Sequence, residues 1–465
     1  MSKAPKFRSL GRIPVQVMLF YWPLVEANQK FKYLSLLILE AIAATSTFVT
    51  VLIILSNNNW QLNLSDLKID LVGSIILSVS IILSVVFGYN LVKFWRPNKQ
   101  YDFEKKKNIN IDQIVPSGKE KLSGYKSIFL NLEEKHSLIY SKEINNLLRK
   151  HIFEVKLKLL DRSYKYKILQ SKFTHEKEFI KDVLLMQYFD SYNAKHKQEF
   201  YNDKKISLKS SLYKDIFNNL DKHLDVFESD YYSSYLTNDL SLKNIKNSNN
   251  TIPTNIQFPY EDENTNSLKA IEDTGFSNHI GVNVIAITRD NKIKLWKQGS
   301  KALRSAGLLA PTGSGSLDFE DFEGLSNRNG SIVSLGDLIE IGMRRELLEE
   351  SHQVGKKIND FIYDIKVIGF YRWASKAGLP GFLGVARLNV DAHELEANIS
   401  EVENGDVNEI TELDARNMEC MQASILKLLE MKDHLSAPLY ANLAILQDTI
   451  EESPNDLQFL FDEII

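Results

Sequence analysis

The sequence predicts an α+β chain in three parts: an N-terminal two-helix transmembrane hairpin, a helical connector, and a C-terminal mixed-sheet domain packed by helices. Three observations carry this expectation. Two apolar runs, Leu34–Leu55 and Leu71–Val92, lie near the N-terminus. Each reaches the roughly 20 residues that a helix needs to cross a hydrocarbon core. A middle stretch lacks such runs and shows helical spacing. The rest alternates β-branched runs, turn signals and helical stretches. The expected divisions are a cytoplasmic segment at 1–30, the hairpin at 31–95, the connector at 96–265 and the last domain at 266–465.

Basic residues orient the hairpin. Lys3, Lys6, Arg8, Arg12, Lys30 and Lys32 precede the first run, and Lys93, Arg96, Lys99 and Lys105–Lys107 follow the second. Between them, 56–70 holds Lys68 alone. The positive-inside rule then places both termini in the cytoplasm, in an inner membrane crossed twice. Trp60 and Trp95 suit an aromatic belt. Gly73, Ser74, Ser78, Ser80, Ser84 and Gly88 form a stripe of small residues. Such a stripe is either ordinary membrane-helix composition or the face of a homo-oligomer. Glu40 falls inside the first run, where a carboxylate faces protein or water, or snorkels. The single cysteine, Cys420, excludes an intrachain disulfide and agrees with a reducing compartment.

The connector is basic and carries helical periodicity at Ile144, Leu147, Leu148, Ile152, Val155 and Leu159. Further helices are expected around 179–202 and 208–228. Its lysines alternate with acidic residues, which favours a spacer over a surface for nucleic-acid polymer or anionic lipid. Residues 247–266 read as a polar linker.

In the last domain, Ile280–Thr288 and Ile293–Lys297 flank the turn Arg289-Asp290-Asn291-Lys292, which predicts a hairpin. Phe361–Trp373 and Gly381–Val390 read as strands joined by a Gly/Pro loop. Leucines and isoleucines at 425–429 and 439–446 predict core-facing helices.

The chemistry concentrates at 344–351, R-R-E-L-L-E-E-S. On a helix, Glu346, Glu349 and Glu350 share one face, since positions three and four apart are neighbours. A cation relieves their repulsion, and carboxylate oxygens suit Mg2+. Arg345 lies four before Glu349 and can orient it. An isolated cluster of this kind is more often a solvated face, but here a Gly/Ser loop and strands surround it. That loop, Thr312, Gly313, Ser314, Gly315 and Ser316, offers backbone amides that suit an anion, or is a plain turn. Arg304, Arg372 and Arg387 are candidate phosphate partners, with Arg345 a candidate ligand-binding residue beside them, and a lone arginine of this kind is more often a surface charge. Trp296 and Trp373 could stack on a base, although core packing is the commoner role of such residues.

R-E-L-L-E-E resembles the core of the Nudix box, R-E-U-x-E-E with U aliphatic. With HIGVNVIAIT at 279–288 and LLAPTGSGSLDFED at 308–321, the stretch resembles the SMODS-associated NUDIX domain of CBASS antiphage systems. The usual box glycine is His352, the next aliphatic is Gln353, and Asp337 stands at the upstream glutamate. A polar insertion, 320–336, precedes the helix. The resemblance implies a Nudix-like fold that senses a cyclic oligonucleotide, made upstream by a nucleotidyltransferase, and drives the membrane helices to disrupt the inner membrane. The alternative it leaves open is a membrane-tethered hydrolase of a nucleoside diphosphate derivative. There Glu346, Glu349 and Glu350 would hold Mg2+, with Glu349 and Glu350 catalytic. The altered box end favours sensing.

Overall fold

Side chains on a strand point alternately to opposite faces, and in this protein both faces of the long strands are apolar, so helices must cover the sheet on both sides. The computed structural model describes residues 101–105, 114–131, 135–161, 202–218, 223–247, 267–298, 307–329, 332–351, 358–398, 402–403 and 412–462, with Val85, Val183, Leu184, Met186 and Gln187. The chain divides into two units. One includes Tyr101–Lys177 and Asp190–Ile465, and every element below lies in it. In the other, Lys6–Gln100 with Glu178–Phe189, the described residues are the five named singly above.

In chain order, the elements that build the site are α1 (Gly118–Leu122), β1 (Lys126–Asn131), β2 (Lys135–Tyr140), α2 (Lys142–His151), β3 (Lys156–Leu159), β4 (Lys204–Leu208) and β5 (His223–Asp230). Then follow β6 (Gly281–Ile287), β7 (Lys292–Lys294), β8 (Gly313–Ser316), α3 (Phe319–Asn329), β9 (Val333–Ser334) and α4 (Leu335–Glu350). Last come β10 (Ile362–Trp373), β11 (Leu379–Leu388), β12 (Glu412–Asp414), α5 (Met418–Glu430) and α6 (Ala437–Glu452).

The main sheet runs β12-β7-β6-β11-β10-β2-β1, with β8 also paired to β6. β6 and β11 are parallel and the other pairs antiparallel, so the sheet is mixed. On β6, Val282, Val284 and Ala286 enter one core, while Ile285 and Ile287 enter the other. α4 covers the first core with Leu335, Leu338, Ile339, Met343 and Leu347, the spacing of one helix face. α5 and α6 cover the second with Met421, Ile425, Leu428, Leu439, Leu443 and Leu446. The layers approach closely at glycines. A Cβ on Gly384 would lie 2.6 Å from Met343 Sδ, and one on Gly313 would lie 2.9 Å from the Leu347 nitrogen.

A second sheet, β9-β3-β5-β4, has β3 and β5 parallel. Its β4 bonds to segments that extend β6 and β8: Ile206 N donates to Leu317 O at 3.1 Å, and Ile280 N donates to Ile206 O at 3.1 Å.

Three expectations need correction. Among the described residues no helix is long and apolar enough to cross a membrane. The longest, α4 and α6, have 16 residues each, and α4 carries charge along its length. The expected transmembrane hairpin and the two-pass inner-membrane placement are therefore withdrawn. The runs Leu34–Leu55 and Leu71–Val92, with Glu40 and the small-residue stripe, lie outside the described residues apart from Val85. Second, 96–265 is not mainly helical. It supplies β1, β2, β3, β4 and β5, and two of these extend the main sheet. The helical periodicity holds through α2, where Ile144 and Leu148 are buried, but Leu159 belongs to β3, because alternation took over where helical spacing had been read. Third, 320–336 is not a bare polar insertion. It contains α3, whose Phe319, Phe322 and Leu325 join the first core.

Candidate functional site

Helix α4 is fixed at both ends. The Ser334 hydroxyl accepts from the Asp337 amide at 3.0 Å, satisfying a donor that the first turn leaves orphaned. At the other end Asn398 donates its backbone N–H to Glu350 O at 2.9 Å and its side-chain amide to Glu349 O at 3.0 Å. Between these anchors, Glu346 and Glu350 lean toward β8. A Cβ on Gly315 would overlap the Glu346 carboxylate, so the glycine there makes room for an acid of the helix.

Arg345 organises the acids. Its Nη1 donates to Glu346 Oε1 at 2.6 Å and Glu349 Oε2 at 3.3 Å. Its Nη2 donates to Ser316 O at 2.9 Å and Asp321 Oδ2 at 3.1 Å. Nε also donates to Asp321, and Nη1 lies 3.4 Å from Asp318 Oδ2. Asp318 pairs through its other oxygen with Lys205 of β4, whose ammonium also meets Asp203 Oδ2 at 3.1 Å. Asp318, Asp321, Glu346 and Glu349 thus face two cations, Arg345 and Lys205. Glu346 is 5% exposed. Burial pushes its pKa up to about 7; Arg345 opposes the rise, and Glu349 and Asp318 add to it. Burial alone would weaken the charge on Arg345, but the surrounding carboxylates outweigh it and hold the pKa well above its ordinary value.

The Gly/Ser segment is strand β8, not a loop, and its Ser314 N–H donates to Glu350 Oε2 at 3.0 Å. Thr312 is buried and stitches strands: its hydroxyl accepts from the Ala286 amide at 2.8 Å and its carbonyl from Trp296 Nε1 at 2.8 Å. Gly313 and Gly315 face α4, and Ser316 gives its carbonyl to Arg345. Arg345 therefore belongs to the cluster. Arg372 does not. It is fully buried, with Nη1 on Glu120 Oε2 at 2.7 Å and on Lys269 O at 2.9 Å. Burial pushes the Glu120 carboxyl up, against the pull of Arg372. Arg387 donates to Thr288 O at 2.6 Å and Arg289 O at 3.2 Å. Trp296 and Trp373 are core residues, and Trp373 Nε1 donates to His136 Nδ1 at 3.3 Å. Arg304, His352 and Gln353 lie outside the described residues.

The Mg2+ implied by the Nudix resemblance finds no ready ligand set. Among the described residues no group of three or more His, Cys, Asp or Glu is arranged to hold a metal ion. Glu346 and Glu349 are turned to Arg345, and Glu350 to Ser314. The donor types suit the ion, and in this arrangement they meet protein donors.

Sequence reasoning missed Lys205, Asp318, Asp321 and Asn398. Asp318 and Asp321 had a signal: Phe319, Phe322 and Leu325 recur at helical spacing and mark a helix start beside the box. Lys205 and Asn398 had none: a β-bridge to Asp318 brings in the first, and bonds from a non-strand segment to the end of α4 bring in the second.

No protein-family model matches the chain, and no curated protein matches it. A solved structure, DR0079 from Deinococcus radiodurans, is similar to part of it at 13% identity, covering 36% of this chain and 81% of that one, with a TM-score of 0.24. A superposition that loose carries no weight for fold or function.

Proposed function

We propose that the region around α4 and β8 is a sensor that binds a cyclic oligonucleotide without hydrolysing it. One observation supports binding over turnover. The helix carboxylates are committed to protein donors, Glu346 and Glu349 to Arg345 and Glu350 to the Ser314 amide, rather than held open for a metal that would activate water. The ligand class comes from the Nudix-like motif and its resemblance to cyclic-oligonucleotide sensors. A guanidinium is the side chain best shaped for phosphate, and a phosphodiester would compete with the carboxylates for Arg345. Exchanging internal pairs for ligand pairs biases one arrangement of the chain over another. In this reading a nucleotidyltransferase supplies the messenger and a homo-oligomer responds to it.

Two measurements on the full chain test the proposal together. Calorimetry against a panel of cyclic di- and trinucleotides should find a ligand. Incubation with Mg2+ and nucleoside diphosphate derivatives should leave them intact by chromatography. Turnover at the roughly 1–1000 per second of ordinary enzymes, or no binding across the panel, would overturn it.

A further inference from the structure

Lys205 lies far in sequence from the Nudix-like stretch, on a strand of the second sheet, yet it ends at the acidic cluster. Its backbone bridges to Asp318, and the neighbouring Ile206 N–H donates to Leu317 O. The side chain is nearly buried and its ammonium meets Asp318 Oδ1 and Asp203 Oδ2. Burial on its own would lower the lysine pKa, but Asp318 and Asp203 outweigh it and raise it, so the charge is kept. Asp318 is the hinge of the arrangement. One oxygen takes Lys205 and the other lies 3.4 Å from Arg345 Nη1. The same Nη1 holds Glu346 and Glu349.

We propose that Lys205 is a positioning residue for the α4 cluster: by holding Asp318 it sets where the Arg345 guanidinium sits, and so which carboxylates Arg345 occupies. Without Lys205, Asp318 loses a charged partner. It then draws Arg345 toward itself, away from Asp321, Glu346 and Glu349. A charge-assisted bond is directional and strong enough for such a competition to be decided by one partner. The second sheet is thereby part of the candidate site rather than a neighbour of it. For any consequence on ligand binding this rests on the sensor reading, but the placement itself needs no ligand to be tested.

The experiment uses the full chain labelled with 15N-arginine. Arg345 Nε–H, bonded to Asp321, gives a side-chain signal assigned by its loss in Arg345→Lys. In Lys205→Met this signal should shift, and its exchange with water should speed up by about tenfold, as loss of one net hydrogen bond to a charged group requires. Lys205→Arg should restore it. Lys204→Met, which removes an exposed ammonium 3.4 Å from Glu228, should leave it unchanged. Arg149 Nε–H, bonded to Asp456 at 3.0 Å, reports general integrity and should not move. An unchanged Arg345 signal in Lys205→Met would overturn the proposal. So would loss of the Arg149 signal alongside it, both there and in Asp318→Asn, because that pattern marks Lys205 as a support of the whole fold. Neither outcome depends on a nucleotide, so failure here and failure of the ligand panel are separate results.

Discussion

Replacing Arg345 with methionine removes the cation that Asp321, Glu346, Glu349 and the Ser316 carbonyl share. Four carboxylates then face Lys205 alone. Breaking a buried pair costs about 3–5 kcal/mol, and the residual exposure of Arg345 (19% of its side chain) places the loss near about 3 kcal/mol. The loss depends on pH, and its sign follows from Glu346. In the wild type its folded pKa is raised from 4.5 to about 7. Its contribution is therefore complete below pH 4.5 and is lost as pH rises through about 7. Arg345 lowers that pKa, so in the variant it stands higher still. Near pH 6 the carboxyl is largely protonated in both proteins, and the deficit reflects the other acids, about 1–2 kcal/mol. Near pH 8.5 the wild type ionises Glu346 beside its guanidinium and the variant, with that pKa raised further, ionises it less, so the deficit widens to about 3 kcal/mol. Urea titrations followed by tryptophan fluorescence at the two pH values measure both. Equal deficits at the two pH values, or a deficit below about 0.5 kcal/mol at the higher, would refute the cluster as described.

Other substitutions probe separate parts of the account. Glu340 on α4 is raised to about 7 chiefly by burial, against the pull of Arg344; stability should fall as pH rises from 4.5 through 7, and Glu340→Gln should remove about 1–2 kcal/mol of that fall after allowance for its partial exposure. Gly313→Ala must push against the Leu347 backbone nitrogen at 2.9 Å, so chemical denaturation should show a loss of about 1–3 kcal/mol. Arg372→Met should cost about 3–5 kcal/mol by stranding Glu120, while Arg372→Met with Glu120→Met should recover most of it; a double variant as unstable as the single would contradict the burial of that pair.

What was legible in the sequence was local. R-E-L-L-E-E read as one helix face because helical geometry alone fixes neighbours, and α4 spans it. Thr288 donates to Lys292 O across the expected turn, with Asn291 at φ 59°, as a hairpin between β6 and β7 requires. Phe361–Trp373 and Gly381–Val390 differ from β10 and β11 by a residue or two at their ends. Long-range pairing was not legible. The Gly/Ser segment gave a loop signal because glycine and serine favour turns, but its glycines are there to let α4 approach β8. Arg372 looked like a phosphate ligand and is instead held in the core by Glu120, 252 positions away in the chain. Lys205 carried no motif at all, since only the bonding of β4 to the segments around β6 and β8 brings it to Asp318.

Binding without metal is the claim most directly open to measurement. The full chain is titrated calorimetrically with the cyclic di- or trinucleotide that binds best, once with excess Mg2+ and once with EDTA. Committed as they are to Arg345 and Ser314, the carboxylates should make no metal bridge, and the two affinities should agree within about twofold, or about 0.4 kcal/mol. Affinity that vanishes in EDTA, or ligand that is consumed when Mg2+ is present, would contradict the account and return α4 to the role of a metal-dependent hydrolase.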